Sequence, residues 1–169
     1  PQAPELFSAG LHQAGARIEL GDKNLKPEQS LSLNIGGNYS IENKLEINVS
    51  LYSQAIQNYI FLKPGADILT IRGYFKSFNY TQTNAQLSGV DASINYQVTA
   101  QWSANAKISL LRAWDKSQKE WLILMPADRM EAGVKFKTDL SQRFKNCFAS
   151  ATAQYVLQQK RVPNNFDQI

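Results

Sequence analysis

The sequence predicts an all-β protein, an antiparallel meander of about six long strands. Three observations predict it. Apolar and polar side chains alternate with period 2 through several long stretches. Short polar clusters interrupt these stretches where tight turns would fall. The remaining connections are long, so short and long links alternate along the chain. Successive strand residues point to opposite faces, so period 2 marks a sheet with two unlike faces.

The first 28 residues read as an outer loop and the start of a strand. Residues 29–61 read as a hairpin. Leu31, Leu33, Ile35, Tyr39 and Ile41 share a face against Ser32, Asn34, Asn38 and Ser40, with Gly36 and Gly37 between. After the turn Glu42-Asn43-Lys44, residues Leu45, Ile47, Val49, Leu51 and Tyr59 oppose Glu46, Asn48, Ser50, Gln54 and Asn58. Residues 62–82 read as an outer loop. The second hairpin, 83–114, sets Val90, Ala92, Ile94, Tyr96 and Val98 against Asp91, Ser93, Asn95 and Gln97. Past a turn near 99–101, Trp102, Ala104, Ala106, Ile108 and Leu110 oppose Ser103, Asn105, Lys107 and Ser109. An outer loop at 115–127 precedes a third hairpin, 128–160. Met130, Ala132, Val134 and Phe136 there oppose Arg129, Glu131, Lys135 and Lys137. Its second half, 144–158, is ambiguous. Leu140, Phe144, Phe148, Ala151 and Tyr155 fit a helical stripe, while Ala149, Ala151 and Ala153 alternate with Ser150, Thr152 and Gln154 as a strand would.

Composition narrows the function. The 169 residues carry 18 basic and 14 acidic side chains, a net charge of +4, and 19% charge. One cysteine and one histidine exclude a disulfide scaffold and a zinc finger. Scattered Lys and Arg give no basic helix or basic-aromatic module, so no nucleic-acid partner is expected. No run of 18 apolar residues is present. The start at Pro1 and the end at Asn165–Ile169 lead us to expect a slice of a longer protein.

Short turns at one rim and long loops at the other are the pattern of outer-membrane barrels. The strands exceed the usual 5–6 residues of soluble sheets. Rings at Tyr39, Tyr59, Phe61, Trp102 and Trp114 fall near strand ends, where interfacial aromatics sit. Pattern alone leaves three readings open: a membrane barrel, a soluble β-sandwich or β-barrel, and an α+β domain.

A resemblance then enters. Pro4-Glu5-Leu6-Phe7-Ser8-Ala9-Gly10-Leu11-His12, with Arg17–Leu20 and the stretch Gly21-Asp22-Lys23-Asn24-Leu25-Lys26-Pro27-Glu28, resembles the barrel of TonB-dependent outer-membrane receptors. So do Asn58-Tyr59-Ile60-Phe61-Leu62, Tyr80–Ala85 running into Leu87–Ala92, and Met125-Pro126-Ala127-Asp128-Arg129. The resemblance implies that these strands belong to a twenty-two-stranded transmembrane wall, and that 144–158 is a strand. It implies a Gram-negative outer-membrane location, lipid contact, a small solute, and coupling to the TonB complex through a plug outside this chain. It also implies that the isolated fragment, with open edges, can self-associate. A soluble β-rich module binding protein or carbohydrate, and a structural barrel or adhesin, are the alternatives.

Within the motif, Asp22 and Asn24 suit turn-forming bonds, Gly21 suits a positive φ, Leu25 is its apolar member, Pro27 stiffens the approach, and Glu28 sits near the rim. His12, Tyr74, Phe75, Phe78, Trp114 and Trp121 are the expected ligand-loop residues. No catalytic residue, metal site or cofactor is expected, and we read the chain as no enzyme. His12 lies near Ser8 without a nucleophile elbow. Cys147 reads as a packed or lipid-facing thiol. Asn34-Ile35-Gly36-Gly37-Asn38 lacks the lysine of a phosphate loop, and its glycines suit crowding or twist in a wall.

Overall fold

The structure is a computed structural model, and it describes residues 1–163. The chain end at Asn165–Ile169 lies outside the described residues. Six long strands form the wall: β3 (Gln29–Ile41), β4 (Leu45–Pro64), β7 (Ser77–Gln97), β8 (Trp102–Asp115), β10 (Arg129–Thr138) and β11 (Cys147–Val156). Each pairs antiparallel with the next. The ambiguous last segment is therefore a strand, because Ala149, Ala151 and Ala153 pair with Phe136, Val134 and Ala132.

Smaller elements decorate one rim. Helix α1 (Ala3–Phe7) leads to β1 (Ala9–His12) and β2 (Arg17–Leu20), an antiparallel pair. Helix α1 is an element that the period-2 pattern does not signal; its start is held by the Glu5 carboxylate, whose Oε2 accepts from Gln2 N–H at 2.5 Å. Strand β2 runs parallel to the outer end of β7, pairing Ile18 with Ser77. Strands β5 (Ile68–Thr70) and β6 (Gly73–Phe75) make a hairpin of their own, and β9 (Glu120–Trp121) pairs with β8. At the opposite rim the links are tight. Asn43 and Asn146 take the left-handed conformation there, at φ 54° and 56°, which asparagine tolerates better than branched residues.

The register sorts the side chains. One face carries Ile35, Leu51, Val90 and Leu110 in a row, then Val49, Ala92, Ile108, Met130 and Tyr155, then Ile47, Ile94, Ala106, Ala132 and Ala153. No charge interrupts these rows. The other face carries Asn38, Asn48, Ser93, Lys107, Glu131 and Gln154 in one row. Its side chains bond to one another: Asn38 Nδ2 donates to Asn48 Oδ1 at 2.6 Å, and Lys107 lies 3.3 Å from Glu131. The apolar face has no second layer. Leu31, Leu33 and Ile35 remain 78%, 62% and 59% exposed.

One sequence reading needs correction. Tyr59 does not continue the face of Leu45–Leu51. A bulge between Ile56 and Tyr59 inserts one residue against β7, with Asn58 at φ 56°. An extra residue reverses the alternation beyond it, so Tyr59 and Phe61 share the side of Ala85. Their rings stack there, 6.2 Å apart. Trp102 and Phe136 do keep the apolar face, with centroids 4.8 Å apart near the short-turn rim. The expected crowding at the paired glycines of β3 is absent. A Cβ on Gly37 meets nothing within 4 Å, and one on Gly36 makes only ordinary contact.

Candidate functional site

The long-loop rim holds most of the specific side-chain chemistry. The motif at 21–28 reaches it first. Gly21 N–H donates to Ser8 O at 2.8 Å and Asp22 N–H to Glu5 O at 2.9 Å, which straps the motif to α1. A Cβ on Gly21 would meet the backbone of Leu6, Glu5 and Phe7 at 2.7–2.8 Å. Close approach therefore explains this glycine. The positive φ expected from the sequence is not found at Gly21. Asp22 Oδ1 accepts from the Asn24 backbone at 2.8 Å and from its side chain at 3.0 Å, closing the turn.

Lys26, Pro27 and Glu28 are held by distant strands. Gln82 Oε1 accepts from Lys26 N–H at 2.8 Å, while its Nε2 donates to Lys26 O at 2.6 Å and to Asn58 O at 2.9 Å. Asn58 Nδ2 donates to Pro27 O at 3.2 Å. Glu28 Oε1 accepts from Ile60 N–H at 2.7 Å. That carboxylate satisfies an amide of β4 just beyond the last residue β3 pairs with, Gln57. Gln82 and Asn58 were not singled out as anchors, although both lie in stretches that carry the resemblance.

On the polar side, Ala85, Ala113 and Leu122 form a small core, with Ile56, Tyr59, Leu87 and Met125 packed on it. Leu122 N–H donates to Ala113 O at 3.0 Å, so the loop after β8 folds back onto the wall. Asp115 is buried and organises that loop. Its Oδ1 accepts from Thr83 Oγ1, Ser117 N–H and Gln118 N–H at 2.5, 2.8 and 2.9 Å. Asp128 is buried as well. Arg112 grips it with two bonds, 2.7 and 3.1 Å, and Arg161 reaches it at 2.9 Å. The Arg112 bonds hold its carboxyl below the usual range despite burial, and the Arg161 charge helps. An aspartate followed two and three residues on by turn-forming amides is a readable signal for Asp115. Asp128 had no local signal, because its partners lie on other segments.

The expected ligand-loop residues are spread over β1, β6, the start of β7, β8 and β9. His12 ends β1 opposite Arg17. The Arg17 guanidinium sits 5.3 Å over the Phe78 ring and bonds Glu19 at 2.7 Å, and Tyr80 donates to Glu19 at 3.1 Å. Burial pushes the Glu19 carboxyl up, but these two hydrogen bonds together with the neighbouring positive charge, Arg17 foremost, bring it below its ordinary value. Tyr74 and Phe75 lie on β6, where Tyr74 is 75% exposed. Trp114 and Trp121 pair across β8 and β9, with rings edge-on at 5.0 Å. Trp114 lies opposite Gln86 and shares the parity of Leu110, the apolar side. Among the described residues, no group of three or more His, Cys, Asp or Glu is placed to hold a metal ion.

A single-layer antiparallel meander, with three successive uncharged apolar rows on one face and hydrogen-bonded polar rows on the other, is a segment of barrel wall. The chain belongs to the family described as TonB dependent receptor-like, beta-barrel, which matches residues 1–169. That family resides in the outer membrane of Gram-negative bacteria. Among solved structures, the copper transporter OprC is similar at 21% identity and a TM-score of 0.76, over 98% of this chain and 23% of that one. The FrpB iron transporter from Neisseria meningitidis (F3-3 variant) is similar at 15% identity and a TM-score of 0.54, over 83% of this chain and 20% of that one. These likenesses show the fold. The chain spans less than a quarter of either transporter.

Proposed function

We propose that this chain is wall and outer rim of an outer-membrane receptor that takes up a scarce solute, such as an iron chelate, haem, cobalamin or another metal complex, with energy from the TonB complex delivered through a plug. The observation that carries the reading is the division of faces. A face with an uncharged, uncovered apolar band suits lipid, and a polar face with loops folded over it at one rim suits a gated aqueous interior. Family membership supports the coupling. Similarity to copper and iron transporters supports a metal-bearing cargo. The function is binding and gated passage, without covalent chemistry.

The test uses the whole receptor in a Gram-negative host with and without TonB. Labelled iron chelates, haem, cobalamin and copper are offered in turn, and uptake is measured. Uptake of at least one that collapses without TonB is expected. Uptake indifferent to TonB would overturn the reading. Within the rim, we assign solute contact first to the open side chains Tyr74 and His12. Tyr74→Ala is expected to weaken solute binding about 5–10-fold, the scale of an aromatic contact. Trp114→Ala, on the lipid-side parity, is expected to leave affinity unchanged.

A further inference from the structure

The polar face of the wall is divided by charge. On β3 it presents Ser30, Ser32, Asn34, Gly36, Asn38 and Ser40, all uncharged. Below the bulge, β4 and β7 add two charges to it, Glu46 and Asp91, both acidic. On β8 and β10 it carries Lys107, Arg129, Lys135 and Lys137 against Glu131. A hollow of about 420 Å³ lies on the acidic side, over Gly36, Asn38, Asn48, Ser50, Ser93 and Asp91, and Asp91 is its one charged lining residue. Lys107 stands diagonal to Asp91 across the register but pairs with Glu131 at 3.3 Å. Among the described residues Asp91 enters no ion pair. The hollow adjoins a wider basin of about 950 Å³ at the short-turn rim, and Asn38 lines both. The basin mixes signs, with Glu42 and Glu46 beside Lys44, Lys135 and Lys137.

We propose that this recess is the lane by which cargo descends along the wall, and that it favours a neutral or cationic metal complex over an anionic one. Space and negative charge coincide on β3, β4 and β7, whereas the long basic side chains stand on β8 and β10. Hydroxyls and amides offer a moving solute many weak, exchangeable partners, which passage requires. The Asp91 carboxylate raises the local concentration of cations in a walled cleft. The mixed charges of the basin below cancel that attraction, so the cargo is released toward the short-turn rim. The inference deepens the uptake reading above and rests on it.

The experiment uses the full-length receptor with Cys147→Ser, in nanodiscs, and one new cysteine at a time: Ser50→Cys, Ser93→Cys or Ser150→Cys. Two methanethiosulfonates of similar size, one bearing trimethylammonium and one sulfonate, are the probes. Each labelling rate is divided by the rate with 2-mercaptoethanol. At positions 50 and 93 the cation is expected to react about tenfold faster. At position 150, opposite Lys135, the preference is expected to reverse. Adding Asp91→Asn is expected to bring the ratio at position 93 to about one. No labelling at 50 and 93 would mean that other protein fills the recess, and equal rates there with Asp91 present would remove its selectivity; either result overturns the lane. In cells, TonB-dependent uptake of copper(II) or cobalamin is expected to exceed that of an anionic ferric catecholate. Uptake confined to the catecholate overturns the charge preference. Uptake indifferent to TonB counts against the uptake reading instead, and the thiol rates still decide whether the recess is open and cation-selective.

Discussion

At the scale of single residues, the rim is built from close approaches and shared acceptors. Gly21 is the sharpest case, because its missing Cβ leaves room for backbone atoms that cannot swing aside. Gly21→Ala is expected to detach α1 from the motif at a cost of about 1–3 kcal/mol. Gly37→Ala, with open space around it, is expected to be near neutral. Limited proteolysis of the two refolded variants separates them: faster cleavage within 1–28 for the first only. Asp128 makes a pH prediction. Its folded pKa is lowered, so its contribution to stability is present above the unfolded value near 3.9 and is lost as pH falls through the lower folded value. Amide exchange at Leu157, which donates to Asp128 O, should quicken in that acid window in the wild type. In Asp128→Asn the acid dependence should vanish; an unchanged profile would count against the assignment.

At the scale of elements, the Gln82 side chain joins three segments that are far apart in sequence. It bonds both backbone groups of Lys26 and the carbonyl of Asn58, so it fixes where the chain enters β3 relative to β4 and β7. Gln82→Ala is expected to cost about 1–3 kcal/mol locally, since it strands peptide groups that had partners. The check is hydrogen exchange: Lys26 should lose protection while Ser88–Ile94, deep in β7, keeps it. Much of this level was legible. Strands, turns and faces follow from period 2, which needs only local sequence. The anchors were not, because Gln82 meets Lys26 across 56 positions. The bulge was half legible. Two polar residues, Gln57 and Asn58, break the alternation, and asparagine tolerates the left-handed backbone that a bulge needs. Reading Tyr59 as in phase with Leu51 overlooked that break. The last strand was ambiguous because alanine suits a helix intrinsically, whereas cross-strand pairing with β10 decides its state.

At the scale of the whole molecule, the six-strand wall ends, among the described residues, in two open edges, β3 and β11. Lipid offers no partners for free strand amides, so a spanning sheet closes on itself. These six strands therefore need further strands on both sides. The uncovered apolar face also separates a lipid-facing wall from a soluble sandwich, in which the same residues would pack against a second sheet. Each reading predicts a different environment for alternate residues. In the full-length receptor with Cys147→Ser, a single cysteine is placed in turn at Lys107, Ile108, Ser109 and Leu110 and labelled with a fluorophore. Lipids bearing a nitroxide on the acyl chain quench labels that touch hydrocarbon. Strong quenching at 108 and 110 with weak quenching at 107 and 109 is expected, because the register sets these pairs on opposite faces. Strand β10 repeats the test in antiparallel sense, with quenching at Met130 and Val134 and little at Glu131 and Lys135. Uniformly weak quenching along both strands would mean that the apolar face meets protein, and the lipid-facing wall would be wrong.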